Sequence, residues 1–116
     1  MVIRQGDVFW VELGPALGSE PAERRPAVVV QNDAFNRSLI GTVVVCAVTS
    51  YLARAASPGN VALGKGEGGL PKRSVVNVTQ IATVDKGSLG ERIGGLSKKR
   101  VREVLEGIGV VLGPVG

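Results

Sequence analysis

The chain contains no histidine, which removes the commonest general base and the commonest metal ligand from any account of its chemistry. It has one cysteine, Cys46, so neither an intrachain disulfide nor a thiolate metal cluster can form. That cysteine lies inside the run VVVCAV and reads as core filling rather than as a nucleophile. Aromatic residues are scarce: Phe9, Trp10, Phe35 and Tyr51 are the whole set. The core must then be built from Val, Leu and Ile, and valine-rich segments favour strands because branching at Cβ suits a pleated surface. No apolar run approaches the length needed to span a bilayer. The opening residues MVIRQGD lack the long apolar stretch of a secretory signal. A cytoplasmic protein with no membrane association is expected.

The chain has 116 residues, 44% of them hydrophobic. That length suits one domain, residues 1–116, with material for a sizeable core. The net charge of +4 is unevenly placed. Residues 1–58 carry five cations and five anions, whereas residues 59–116 carry nine and five. The excess invites a polyanion such as nucleic acid, although charge alone fits a solvated basic face equally well.

Alternation predicts a strand from Asp7 to Leu13, with Phe9, Val11 and Leu13 on one face and Val8, Trp10 and Glu12 on the other. Gly14 and Pro15 end it. Residues 26–31 read as a short strand buried on both faces, with Pro26 tolerated because it opens the strand. Residues 32–38 form a turn or a single helical turn that Asn32 or Asp33 can cap. The segment TVVVCAVT, Thr42 to Thr49, is the clearest strand. Residues 51–60 are loop by composition, and Val61 to Leu63 a short strand. Residues 64–69, GKGEGG, suggest a hairpin tip or a mobile flap. Residues 74–78 and 80–84 read as one strand broken by a bend. Ser97 caps a helix from Lys98 to Leu112 whose apolar face is Val101, Val104, Leu105, Ile108, Val111 and Leu112. Gly107 and Gly109 each cost this helix roughly 1 kcal/mol relative to alanine, so packing must hold it. Its first turn carries Lys98, Lys99 and Arg100, the unfavourable sign for the helix dipole; solvation or a nearby anion must answer them. Five or so short strands and one amphipathic helix point to a mainly β chain forming a small antiparallel barrel.

The stretch QGDVFWVELGPALGSEPAERRPAVVVQND resembles the N-terminal signature of the MazF/PemK family of toxin endoribonucleases. The likeness continues through VVVCAVTS and SVVNVTQIATVDKGSL into the final helix and covers residues 3–113. It implies an SH3-like antiparallel β-barrel with a C-terminal helix, acting as a homodimer. It implies cleavage of single-stranded RNA at short sequences without a metal or other cofactor. It also implies a cognate antitoxin that covers the RNA groove, and contact with DNA only through that antitoxin. The family's active pair, an arginine before a proline and a threonine ending the next long strand, falls on Arg25 and Thr49. Glu20 matches an assisting acid, and Gln80 a glutamine near the RNA groove. Ser19, Asn32, Ser50 and Arg24 are further RNA contacts on the same grounds.

The chemistry agrees with that assignment. Cleavage by an RNA's own 2′-hydroxyl needs one proton removed, one supplied to the leaving 5′-oxygen, and charge stabilised on phosphorus. A guanidinium is permanently charged and offers paired planar donors, which suits Arg25 to the last task. Thr49 would donate to a phosphate oxygen or orient the 2′-hydroxyl, and Glu20, with a raised pKa, would take the proton. The residues alone favour blander readings. Arg24 and Arg25 become surface partners of Glu20 and Glu23, Thr49 a strand residue, Gln80 an exposed polar side chain, and Trp10 core or interface. Two other functional readings remain: a non-catalytic toxin of the same fold that binds and inhibits DNA gyrase, and an inactive RNA-binding barrel.

Overall fold

The computed structural model describes residues 1–13 and 23–115. In chain order the regular elements are β1 (Asp7–Leu13), β2 (Glu23–Val29), α1 (Asp33–Asn36), β3 (Thr42–Thr49), β4 (Val61–Leu63), β5 (Ser74–Asp85), β6 (Arg92–Gly95) and α2 (Lys98–Leu112). Single 3₁₀ turns lie at Leu52–Ala56, Glu67–Gly69 and Lys86–Ser88. The six strands form one sheet in the order β4-β5-β3-β2-β1-β6, antiparallel at every pairing.

Alternation along the strands makes two cores, one on each face. Val8, Val28, Cys46, Val76 and Val78 face one way and bury Val104 of α2. Phe9, Val11, Ala27, Val29, Val43 and Val45 face the other and are closed over by Ile3 and Leu89. Burial pushes the Cys46 thiol up to about 11, so it stays protonated and inert.

The sheet curls until its ends approach. The turn between β4 and β5 meets β6 across the gap, where a Cβ on Gly69 would fall on the Ile93 carbonyl and one on Gly94 would fall on the Gly68 carbonyl. Gly69 also has φ +76°, a backbone conformation that side chains disfavour. The glycines of residues 64–69 therefore serve backbone contact. The hairpin tip is there, but it is no mobile flap: Gly66 donates to the Leu70 carbonyl at 2.8 Å, and Glu67 is gripped by α2.

That grip answers the cations at the start of α2. Arg100 holds Glu67 through two parallel bonds of 2.9 and 3.0 Å and Glu103 through bonds of 3.0 and 3.4 Å, and Ser97 accepts from the Arg100 amide as N-cap. The anion is thus a carboxylate of the chain itself. The Arg100 guanidinium, followed by the Gly64 amide, holds the Glu67 carboxyl below its ordinary 4.5. A carboxylate with a lowered folded pKa adds stability above its unfolded pKa, and that stability is lost as pH falls through the folded value. Glu67→Gln is expected to be less stable than the parent at pH 7, and the deficit should shrink below pH ~4.5 as the parent's carboxylate takes up a proton. Urea unfolding of both proteins at pH 7 and pH 3 measures this.

Three expectations need correction. β2 starts at Glu23 rather than Pro26, so the proline lies within the strand. It is tolerated because Trp10, its partner on β1, turns both backbone groups the other way, donating to the Glu91 carbonyl and accepting from the Gly90 amide. The pair is therefore not hydrogen-bonded, and on the other side the β3 ladder stops at Ala27 and Ala47. The sheet has a sixth strand, β6, paired with the start of β1. The predicted apolar face of α2 is only partly covered. Val104 and Gly107 are buried and Val101 and Ile108 half-buried, while Leu105, Val111 and Leu112 are exposed. Leu105 follows Val104 by one residue, a turn of about 100°, which carries it off the docking line.

Candidate active site

Strand register sets the site. β1 pairs Val11 with Arg25, and β2 pairs Ala27 with Ala47 of β3. Two more steps in that antiparallel register bring Arg25 level with Thr49, at the point where β3 has separated from β2. Period-two geometry gives the two side chains the same face.

β5 delivers the third member. Val76 lies opposite Val48 and Ile81 opposite Cys46, so Asn77, Val78, Thr79 and Gln80 all fall opposite Ala47. This enlarged bulge bends the strand and aims Gln80 at the start of β2. The Gln80 Oε1 accepts from Arg25 Nη1 at 3.2 Å and from Asn77 Nδ2 at 3.0 Å. Asn77 Oδ1 accepts from the Thr79 hydroxyl at 3.0 Å. The Thr49 Oγ1 accepts from the Tyr51 amide at 3.1 Å, which fixes the oxygen and leaves the hydroxyl hydrogen to be donated.

Arg25 and Thr49 form a wall shared by two clefts. The first has a volume of about 280 Å³ and also includes Trp10, Arg24, Ser50 and Lys72. The second, about 200 Å³, is completed by Tyr51, Arg54, Asn77 and Gln80. Arg24 lies over the Trp10 ring, 5.1 Å from its centroid, and Arg54 lies 5.8 Å from the Tyr51 centroid. Among the described residues the walls hold Arg24, Arg25, Arg54 and Lys72 and no carboxylate. Such a groove suits an anionic chain with aromatic faces beside it. Among the described residues there is also no group of three His, Cys, Asp or Glu side chains that could hold a metal ion.

Of the residues singled out in the sequence, Arg25, Thr49 and Gln80 come together, with Arg24 and Ser50 on the first cleft. Ser19 and Glu20 lie outside the described residues. Asn32 does not join them. Its side chain caps α1 by accepting from the Ala34 amide at 2.8 Å, beyond the opposite end of β2 and roughly 20 Å along the chain from Arg25 at about 3.3 Å per residue. Lys72, Tyr51, Arg54 and Asn77 are site residues that sequence reasoning passed over. The available signals were local: Tyr51 follows Thr49 by two residues and Arg54 follows Tyr51 by three, and Asn77 precedes Gln80 by three within the bend.

Comparison with known proteins places the chain in a family. Residues 4–112 match the family described as PemK-like, MazF-like toxin of type II toxin-antitoxin system. The chain is 45% identical over 112 residues to Endoribonuclease MazF6 of Mycobacterium tuberculosis, covering 97% of this chain and 98% of that protein. It is 39% identical to Endoribonuclease MazF of Staphylococcus saprophyticus, covering 97% and 92%. Among solved structures, a mycobacterial endoribonuclease in complex with its cognate antitoxin superimposes with a TM-score of 0.78 at 26% identity, covering 98% of this chain and 99% of that one. MazF from Deinococcus radiodurans gives 0.77 at 27% identity, over 98% and 99%. With its curled six-stranded sheet, its C-terminal helix and a match along nearly its whole length, the chain belongs to the PemK-like, MazF-like family of toxins of type II toxin–antitoxin systems.

Proposed function

We propose that this chain is a toxin endoribonuclease that cuts single-stranded RNA by attack of a 2′-hydroxyl on the adjacent phosphorus, without a metal ion. The observation that carries the reading is the shared wall: Arg25 and Thr49 border both clefts, so a phosphate held between them has room for a nucleoside on either side. The mycobacterial and staphylococcal relatives are named endoribonucleases, which supports the same reaction class.

In this reading the Arg25 guanidinium binds the non-bridging oxygens and stabilises the charge that builds on them. The hydrogen bond to Gln80 holds that guanidinium in place. The Thr49 hydroxyl, its oxygen already engaged by the Tyr51 amide, donates to the same phosphate. The 2′-oxygen forms a bond to phosphorus as its proton leaves, and Glu20, which matches an assisting acid of the family, takes that proton. The bond from phosphorus to the 5′-oxygen breaks, and that oxygen takes up a proton from water as it departs. The products are a 2′,3′-cyclic phosphate and a 5′-hydroxyl. The reading also includes a homodimer and a cognate antitoxin lying in the same basic groove and excluding RNA. One solved structural neighbour is itself a complex with its antitoxin.

The test is cleavage of single-stranded RNA in EDTA with the ends identified by mass spectrometry. Cyclic phosphate and 5′-hydroxyl ends are expected. Thr49→Ala is expected to lower the rate about 10²-fold, and Thr49→Ser, which keeps the hydroxyl, to retain most of it. A 5′-phosphate product, or cleavage unaffected by Thr49→Ala, contradicts the mechanism.

A further inference from the structure

The second cleft has two walls from different parts of the chain. Tyr51 and Arg54 come from the loop after β3, Asn77 and Gln80 from the bend of β5. The Asn60 side chain joins the two. β4 pairs with β5 only as far as Val61 opposite Val76, so the next amide along β5 on that side, that of Val78, meets no strand. Val78 is fully buried, where an unpaired amide is costly. Its amide donates to Asn60 Oδ1 at 2.9 Å. Asn60 Nδ2 donates the other way, to the Arg54 carbonyl, also at 2.9 Å. A backbone amide only donates and a carbonyl only accepts, so these partners fix which way round the Asn60 side chain lies. The Arg54 amide in turn donates to the Tyr51 carbonyl at 3.1 Å. Hydrogen bonds therefore run from Tyr51 through Arg54 and Asn60 into the bulge that aims Gln80. The preceding residue leaves this link no slack: a Cβ on Gly59 would lie 2.8 Å from the Gly107 carbonyl of α2 and 3.1 Å from a Val78 methyl.

We propose that Asn60 is a positioning residue for RNA cleavage, a clamp that sets the distance between the two walls of this cleft. This rests on the reading of the chain as an RNA-cleaving toxin and adds to it a residue outside the groove. Asn60 lines neither cleft and acts through Arg54 and Val78. Arg25 and Thr49 owe their places to strand register, so they stay level without the clamp. Its loss frees the loop that carries Tyr51 and Arg54, which weakens the hold on RNA and leaves the chemical step nearly intact.

Two variants test the clamp. Asn60→Ala removes both bonds. Asn60→Asp keeps an oxygen for the Val78 amide but turns a second oxygen on the Arg54 carbonyl, so it carries the test even where loss of both bonds unfolds the chain. Two controls separate other causes. Ala62→Asp adds the same charge at an exposed position of β4. Val43→Ala opens a cavity in the core around Phe9, at the end of β3 away from Thr49. kcat and KM are measured on a single-stranded RNA at a temperature where the compared proteins are folded, with Kd for the same RNA carrying a 2′-deoxy nucleotide at the cut. Amide hydrogen exchange is followed at residues 51–57 and at Val78. Both Asn60 variants are expected to raise KM and Kd about tenfold, with kcat within about twofold of the parent. Both should speed exchange in the loop, and only Asn60→Ala should unprotect the Val78 amide. The controls should match the parent in KM and Kd. Unchanged KM and Kd in Asn60→Asp overturn the proposal, as does a rise of the same size in either control, which would reflect charge or stability alone. A fall in kcat with KM intact overturns it too, since Asn60 would then act on the chemistry. Weaker binding of the deoxy RNA by Asn60→Asp, with no cleavage of the ribose RNA even by the parent, would support the clamp while removing the nuclease reading.

Discussion

Replacing Arg25 with alanine is expected to lower the rate of RNA cleavage at saturating substrate by about 10²–10³, or roughly 3–4 kcal/mol of transition-state stabilisation. Arg25 is half-buried on β2 beside the pairing limit of β3, held by Gln80, and borders both clefts. A charge fixed in this way need not reorganise as negative charge develops on phosphorus. Arg25→Lys keeps the charge but loses the planar pair of donors, and should recover only part of the rate. Thermal unfolding should be little changed in both variants, because the guanidinium anchors no part of either apolar core. Single-turnover rates with excess enzyme separate this loss from weaker binding. A rate within threefold of the parent for Arg25→Ala would remove Arg25 from the chemistry.

The second large effect concerns α2. Gly107→Ala is expected to destabilise the protein by about 3 kcal/mol, the upper end for overpacking, lowering Tm by roughly 10–20 °C. A Cβ at Gly107 would fall on the Gly59 carbonyl and lie 3.2 Å from a methyl of Val78. The first obstacle is backbone and cannot rotate away. Helix and loop would have to separate, drawing Val104 from the core it helps to fill. Gly109, one residue beyond Ile108, has nothing within 4 Å of a Cβ. Gly109→Ala should therefore stabilise by about 0.5–1 kcal/mol through helix propensity and a less disordered unfolded chain. The same substitution two positions apart in one helix thus has opposite signs. Denaturant titrations of both variants measure the difference, and equal effects would mean that α2 does not dock through Gly107.

How much of this was legible in the sequence depends on the range of the forces involved. β1, β3, β4 and α2 occupy the predicted residues because alternation, β-branching and the Ser97 cap act locally. The start of β2 was not legible: Pro26 reads as a strand opening until the backbone of Trp10 is known to point away from it. RIGG, with two glycines and no alternation, carries no strand signal, and β6 exists because the open edge of β1 accepts it. Glycine content suggested a mobile tip at residues 64–69, but composition cannot tell freedom to move from a need for close backbone approach. Helical periodicity marked an apolar stripe on α2 without showing that the sheet covers only the side bearing Val104 and Gly107.

The site follows the same division. From the residues alone, Arg25 and Thr49 are a surface cation and a strand residue 24 positions apart. The family resemblance paired them, and the antiparallel register supplies the physical reason. Gln80 was marked by resemblance, but its partner Asn77, and the Thr79 hydroxyl that engages Asn77, were not, because they depend on a four-against-one bulge that no sequence period encodes. Tyr51 and Arg54 were hidden in a segment that reads as loop, where a 3₁₀ turn sets them beside the site.

The most direct test of the central claim is a single-atom change in the RNA. Two oligonucleotides of identical sequence are compared, one all-ribose and one with the 2′-hydroxyl replaced by hydrogen only at the nucleotide 5′ to the cut. The account predicts that the first is cleaved to a 2′,3′-cyclic phosphate and the second is bound but left whole at that linkage. Cleavage of the deoxy linkage at a comparable rate would show that an outside nucleophile attacks phosphorus, and would contradict it.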